Sequence, residues 1–269
     1  VGDMGCVLRA EWTKARTSPG MSSLLATMVV VTVALSAAVA ATADPLPGAD
    51  LPKLGLTGVQ LGQAVVAVFG VLVMGEEYAT GLVTVTVTAV PHRAMVLAAK
   101  AAVVIGLVAA AATVAVAGCV LVGWLLVPTG AGVPTGALSS AAAGLHAEVP
   151  VPAAPSPDAV AVRPAVGSVL YLVLIGLLSL GVATSVRSSA VGVGIVLALL
   201  YVLPIVTAVV ADPTWQRHLR QLGPASVGLA VQASTADPEI GPWTGLGILV
   251  LWAVGALLAA AILLARRDV

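Results

Sequence analysis

An all-α integral membrane protein with six transmembrane helices is the fold class this sequence predicts. Three observations carry that expectation: the composition, the length of the charge-free runs, and the lack of strand-like alternation within them. Of the 269 residues, 59% are hydrophobic and only 9% charged, with a mean hydropathy of +1.10. Soluble globular domains are far more polar. The apolar residues arrive in uninterrupted runs of bilayer length rather than in amphipathic stripes. Outer-membrane strands alternate apolar with polar residues over about ten positions, and these runs do not. A backbone in lipid must also close its own hydrogen bonds, which a helix does within one segment.

Six runs contain no Asp, Glu, Lys, Arg or His: residues 21–43, 58–75, 101–127, 165–186, 190–211 and 243–265. A helix needs roughly 20 residues to cross the hydrocarbon, and each run comes near that length or exceeds it. The first run follows a charged leader and is longer than the apolar core of a cleaved signal, so it reads as a span. The expected organisation is a cytoplasmic amphipathic leader over residues 1–20 and a six-span transmembrane domain over residues 21–269.

An even number of spans puts both termini on one side, and the basic residues choose the side. With cytoplasmic termini, Arg9, Lys14, Arg16, Arg93, Lys100, Arg187, Arg266 and Arg267 lie inside, against Lys53, Arg163, Arg217 and Arg220 outside. Of the outer loops this defines, residues 128–164 are rich in Pro, Ala and Gly and read as flexible or polyproline-like chain. Residues 212–242 carry Trp215, Arg217, Leu219, Arg220 and Leu222, which suit a short helix along the headgroups.

Within the leader, Leu8, Trp12 and Ala15 share one helical stripe and Arg9, Thr13 and Arg16 the next, the pattern of a helix lying on the inner leaflet. Trp12, Lys14 and Arg16 are its expected interfacial anchors. Lys100 is expected to snorkel from the third span to the inner headgroups, and Arg187 to enforce topology in the short turn between spans four and five. Gln60 and Gln63 are the polar candidates of the second span. The Gly58-x-x-x-Gly62 spacing permits close helix approach, although Gly is frequent throughout. Cys6 and Cys119 fall on the cytoplasmic side and within a span, too far apart to pair, and read as structural. His146 and His218 have no neighbouring Cys and do not make a metal site.

Several segments together resemble the membrane subunits of ABC-2 type ABC transporters, in the form found in high-GC bacteria. The matching residues are Ala10-Glu11-Trp12-Thr13-Lys14 with Arg16-Thr17, Glu77-Tyr78-Ala79-Thr80-Gly81, Thr88-Ala89-Val90-Pro91 with Arg93, and Gly167-Ser168-Val169-Leu170-Tyr171-Leu172. Arg187-Ser188 followed by an apolar run through Val202-Leu203-Pro204, and the terminal Arg266-Arg267-Asp268, extend the likeness nearly end to end. The outer loop 128–164 is longer than is usual there. The resemblance implies ABC-2 permease architecture in a bacterial cytoplasmic membrane. It also implies a second permease copy or homologue and separate nucleotide-binding subunits, which hold the ATP and Mg²⁺ while this chain holds no cofactor. It places a coupling element, contacting the ATPase, at Glu76, Glu77, Tyr78, Thr80, Gly81, Pro91 and Arg93.

The residues themselves agree on one point. A Walker A loop needs Gly immediately before its Lys, yet Lys14, Lys53 and Lys100 follow Thr, Pro and Ala, so the chain is expected to be a transport subunit and not its own ATPase. The charge-free span cores disfavour proton-coupled transport, which usually relies on intramembrane carboxylates or His. No His or Asp pair within a span suggests a protease, and a formal net charge of zero recruits no nucleic acid. The rival of a different class is a polytopic membrane protein outside the ABC transporters, either a structural or signalling scaffold or a secondary transporter. Co-purification with an ATPase subunit separates the two.

Overall fold

Prolines start five of the ten α-helices among the described residues, because a ring at the first turn removes an N–H that had no partner there and presets the backbone angle. The computed structural model describes residues 4–42, 55–82, 93–126, 157–210, 212–232 and 241–266, and among these it is helical with no strand. In order, α1 spans Met4–Thr17, α2 Pro19–Thr42, α3 Val59–Thr80, α4 Arg93–Leu126 and α5 Pro157–Val186. Next come α6 Ser189–Leu197, a π-turn Ala198–Val202 and α7 Leu203–Val209, which run on as one rod. Then α8 covers Pro213–Leu222, α9 Pro224–Leu229 with a 3₁₀ turn Ala230–Gln232, and α10 Pro242–Arg266. Among the described residues, six helices are long and apolar enough to cross a membrane: Pro19–Thr42, Val59–Thr80, Ala94–Gly123, Val162–Val186, Ser189–Val209 and Trp243–Arg266.

The architecture fits a multi-pass membrane protein. Its core is formed by α3 and α5, which pack on each other, with α2, α4, α6 and α10 around them. The outward faces of the peripheral helices carry large apolar side chains: Val30, Leu125, Ile205, Val209, Leu251 and Leu258 are all half exposed or more. A surface of that kind suits acyl chains rather than water.

Small residues set the inter-helix distances. A Cβ on Gly58 would overlap the Thr32 carbonyl oxygen of α2, and one on Gly62 the Thr32 hydroxyl. The Gly58-x-x-x-Gly62 pair is thus a seam between α2 and α3 of the same chain. There the Ser36 hydroxyl accepts a hydrogen bond from the Gly58 amide at 3.1 Å. Cys119 of α4 donates to Ser36 at 3.3 Å, and Cys6 is exposed, so both thiols are free. Between α3 and α5, a Cβ on Gly70 would stand 2.6 Å from the Gly176 carbonyl oxygen.

The structure departs from the sequence expectation where polar residues continue a helix. The charge-free run 58–75 ends five residues before α3 does, and 101–127 begins eight after α4 does, because Glu76, Glu77 and Lys100 all lie within helix. Residues 157–164, expected as loop, are the first two turns of α5, with Pro164 inside the helix and its carbonyl receiving the Ser168 hydroxyl at 2.8 Å. Residues 128–156 of that loop lie outside the described residues. The expected short outer helix is present as α8. The segment after it, however, turns inward: Ala225, Val227, Gly228 and Val231 are buried, with Gly228 against the Tyr171 ring and Gly245 of α10 against the Val227 carbonyl.

The seam gives a paired expectation. Gly58→Ala drives a methyl into a backbone carbonyl that cannot rotate away, so it should destabilise the protein by about 1–3 kcal/mol. Gly106→Ala, where nothing lies within 4 Å of the new methyl, should cost nothing measurable. Thermal unfolding of the detergent-solubilised protein distinguishes them.

Candidate functional site

Helix α1 packs chiefly on α4, and more lightly on α2. Its inward face is Val7, Glu11, Lys14 and Ala15, a run at helical spacing, while Met4, Leu8 and Trp12 form an exposed apolar stripe on the adjoining face. The inward face puts a carboxylate and an ammonium, one turn apart, against the ends of two other helices.

Those ends carry the complement. Glu77 sits in the last turn of α3 and Lys100 two turns into α4, with side-chain exposures of 2% and 1%. Lys100 Nζ donates to Glu77 Oε1 at 2.7 Å and to Glu11 Oε2 at 2.7 Å, and Lys14 Nζ donates to the same Glu77 oxygen. The result is a chain of alternating charge, Glu11–Lys100–Glu77–Lys14, that joins α1, α3 and α4 and sums to zero. Burying one such ion alone would cost several kcal/mol, and pairing in good geometry offsets that. The Lys14 end is more than a third exposed, so its ion pair contributes little; the Lys100–Glu77 pair carries the network.

One expectation is corrected here. Lys100 does not snorkel outward: it turns inward, where two carboxylates stand within hydrogen-bond reach. The adjacent Glu76 and Glu77 of the expected coupling element have different surroundings. Successive helical residues point about 100° apart, so Glu76 is exposed while Glu77 is buried. Glu77 and Lys100 both fall just outside the charge-free runs 58–75 and 101–127, so the ion pairs sit at one end of the bundle and leave those runs without Asp, Glu, Lys, Arg or His.

Neighbouring groups extend the site. The Tyr78 hydroxyl donates to the Thr184 carbonyl at 3.3 Å, and the Arg187 guanidinium lies 6.0 Å from the Tyr78 ring centroid. Arg187 adopts a left-handed backbone (φ 58°), which lets a two-residue turn join α5 to α6, and Ser188 caps α6 by accepting from the Val191 amide at 3.5 Å. That conformation is costly for a residue with a Cβ. Arg187 therefore does more than set topology: it shapes the turn and covers Tyr78. Gly81 closes α3 with φ 70°, and Thr80, exposed, donates to the Glu76 carbonyl at 2.7 Å. Trp12 and Arg16 are exposed on α1, whereas Lys14 faces the network. Arg93 opens α4, while its side chain and Pro91 lie outside the described residues.

A second polar seam lies toward the opposite end of α3, between α3, α5 and the π-turn. The Tyr171 hydroxyl donates to Gln63 Oε1, both side chains being buried, and the Tyr201 hydroxyl donates to the Gln60 carbonyl oxygen. Gln232 reaches back from the 3₁₀ turn to the Ser168 hydroxyl at 3.0 Å. The π-turn falls where the Pro204 ring would otherwise meet the Leu200 carbonyl, and the widening relieves that clash. Sequence inspection had found Gln60 and Gln63 but not their tyrosine partners, since Tyr171 and Tyr201 lie more than a hundred residues away.

No protein-family model matches the chain, and no curated protein matches it. The charge network must therefore be interpreted from its own chemistry. It holds no nucleophile–base pair, and among the described residues no group of three His, Cys, Asp or Glu converges as metal ligands would. What it does is mechanical: it ties α1 to the facing ends of α3 and α4. Lys100→Met should lower stability by about 3 kcal/mol, because Glu11 loses its cation and Glu77 keeps only the exposed Lys14. Arg16→Ala should stay within about 0.5 kcal/mol of wild type. The double variant Lys100→Met/Glu77→Gln should lose less than the sum of its single variants, which a double-mutant cycle on thermal unfolding measures.

Proposed function

We propose that this chain is the membrane-spanning permease subunit of an ABC-2 type exporter, driven by ATP hydrolysed on a separate subunit. It would sit in a bacterial cytoplasmic membrane with both termini in the cytoplasm and act beside a second permease copy or homologue. The observation that carries the proposal is the Glu11–Lys100–Glu77–Lys14 network. It ties the N-terminal helix to both helix ends that flank residues 83–92, the connection between the second and third candidate spans. A force applied to that connection from the cytoplasm is thereby delivered to three elements at once. An ATPase docking there would use Glu76, Thr80 and Gly81 as contact surface and Glu77 as the internal link. The excess of basic residues at the α1 end supports the cytoplasmic assignment of that end.

A rival reading, ion-coupled secondary transport, draws on the buried Lys100–Glu77 pair. Both groups are already neutralised by one another and lie at one end of the bundle, not at mid-membrane where transporters bind their coupling ions. The ATPase-driven reading accounts better for a network that links elements rather than opening a path.

The test separates contact from fold. Solubilised gently from native membranes, the chain should co-purify with an ATPase subunit whose activity it stimulates. Glu76→Gln, which leaves the buried network untouched, should preserve insertion and thermal stability yet cut that stimulation several-fold. Absence of any ATPase partner after cross-linking in the membrane would refute the class. Full stimulation by Glu76→Gln would leave that carboxylate a mere solvated helix end.

A further inference from the structure

An apolar groove of about 560 Å³ opens sideways between α4 and α5, lined by Thr113, Ala117 and Leu121 on one helix and Val166, Val169 and Leu170 on the other. That volume is in the range of bound small molecules. Its origin is visible in the packing. The two helices close on each other around Gly176, where a Cβ would stand 3.2 Å from Val104 and 3.5 Å from Val108, and they part further along, toward the end away from α1. Ala117 then leaves unfilled the space that a larger side chain would take.

The lining dictates the occupant's chemistry. Thr113 has the one polar side chain among the lining residues, and its hydroxyl already donates to the Ala109 carbonyl at 2.7 Å, so the groove has no donor to offer. Every lining residue lies within the helical stretches able to cross a membrane. What meets this surface is therefore hydrocarbon. Arg163 stands on the same stripe of α5 as Val166 and Leu170, at the i, i+3, i+7 spacing and one turn nearer the helix start, in a half-buried position beside the first residue of the candidate span. A cation at the edge of an apolar groove matches an amphiphile with an anionic head.

We propose that this groove retains one acyl chain of an anionic phospholipid, from the leaflet opposite α1, with its phosphate lying toward Arg163. The proposal rests on the helices crossing a membrane and not on the export reading, and it stands whether or not an ATPase partner exists. The site is a lateral notch that a single lipid fills, making α4 and α5 continuous with the bilayer where they do not touch each other. Retention there exceeds that of lipids on the smooth faces, because a chain in a groove makes packing contacts on two sides.

Native mass spectrometry of the delipidated full chain, titrated with phosphatidylglycerol or phosphatidylcholine, tests this. The wild type should retain one phosphatidylglycerol more strongly than any later one, and more strongly than phosphatidylcholine. Ala117→Phe fills the groove from an exposed position and should weaken that first binding about tenfold, because it removes the packing contacts that hold the chain. Val114→Phe, on the exposed face outside the lining, should not. Arg163→Gln should keep a bound lipid but lose the preference for phosphatidylglycerol. Equal retention by Ala117→Phe and Val114→Phe would overturn the proposal. So would a shift from dimer to monomer with Ala117→Phe at unchanged lipid retention, since a second copy would then be the occupant.

Discussion

Lys100 and Glu77 can be buried only because each has the other, and this constraint organises the whole α1 end of the bundle. Lys100 reaches two carboxylates on two different helices, so removing any one of α1, α3 or α4 from its place would leave a charge without its partner in a low-dielectric setting. The energetic penalty for such an orphan exceeds what isolated surface ion pairs contribute. The position of α1 is therefore set by electrostatic necessity, with Ala15 as the one fully buried apolar residue of that helix. Tyr78 and Arg187 extend the same arrangement to the α5–α6 turn, so every connection at this end is tied to the network directly or through one neighbour.

The rest of the bundle is held by different physics. Once helices lie among acyl chains, apolar burial no longer distinguishes a protein neighbour from a lipid one, and close approach and hydrogen bonding must select the partners. Gly58 and Gly62 against Thr32, Gly70 against Gly176, and Gly245 against Val227 are the points of approach. Tyr171–Gln63, Tyr201 with the Gln60 carbonyl, and Gln232–Ser168 are the polar links. Each joins elements distant in sequence, and each would be lost by sliding one helix along another by a single turn. Such links fix register in a way that contacts among Val, Leu and Ala do not.

How much of this was legible in the sequence follows from the range of each signal. The spans were readable because hydropathy over about 20 residues is a local property, and the charge-free runs marked all six helices to within two residues at one end at least. The ends were misread wherever a polar residue was stabilised from elsewhere in the chain. Glu77 and Lys100 looked like exits from the bilayer because nothing in their own neighbourhood shows that they face each other across 23 residues. One signal was available: two acids and two bases, Glu11, Glu77, Lys14 and Lys100, fall on the same side of the expected topology, where balanced pairing is the economical arrangement. The inward fold of residues 224–232 left a weaker trace, Pro224 and Gly228 in an otherwise apolar stretch, and its partner Tyr171 is more than fifty residues away.

The buried network, rather than the bilayer surface alone, holds α1 in place. A distance distribution measures this directly. Spin labels on the native, exposed Cys6 and on a cysteine introduced at the exposed Thr80 report α1 against the end of α3, while buried Cys119 stays unlabelled. With the network intact, the distribution should be narrow, and with Lys100→Met/Glu77→Gln, which removes every ion pair of the network, it should broaden and shift as α1 detaches from the bundle. An equally narrow, unshifted distribution in that double variant would show that the bilayer surface alone holds α1.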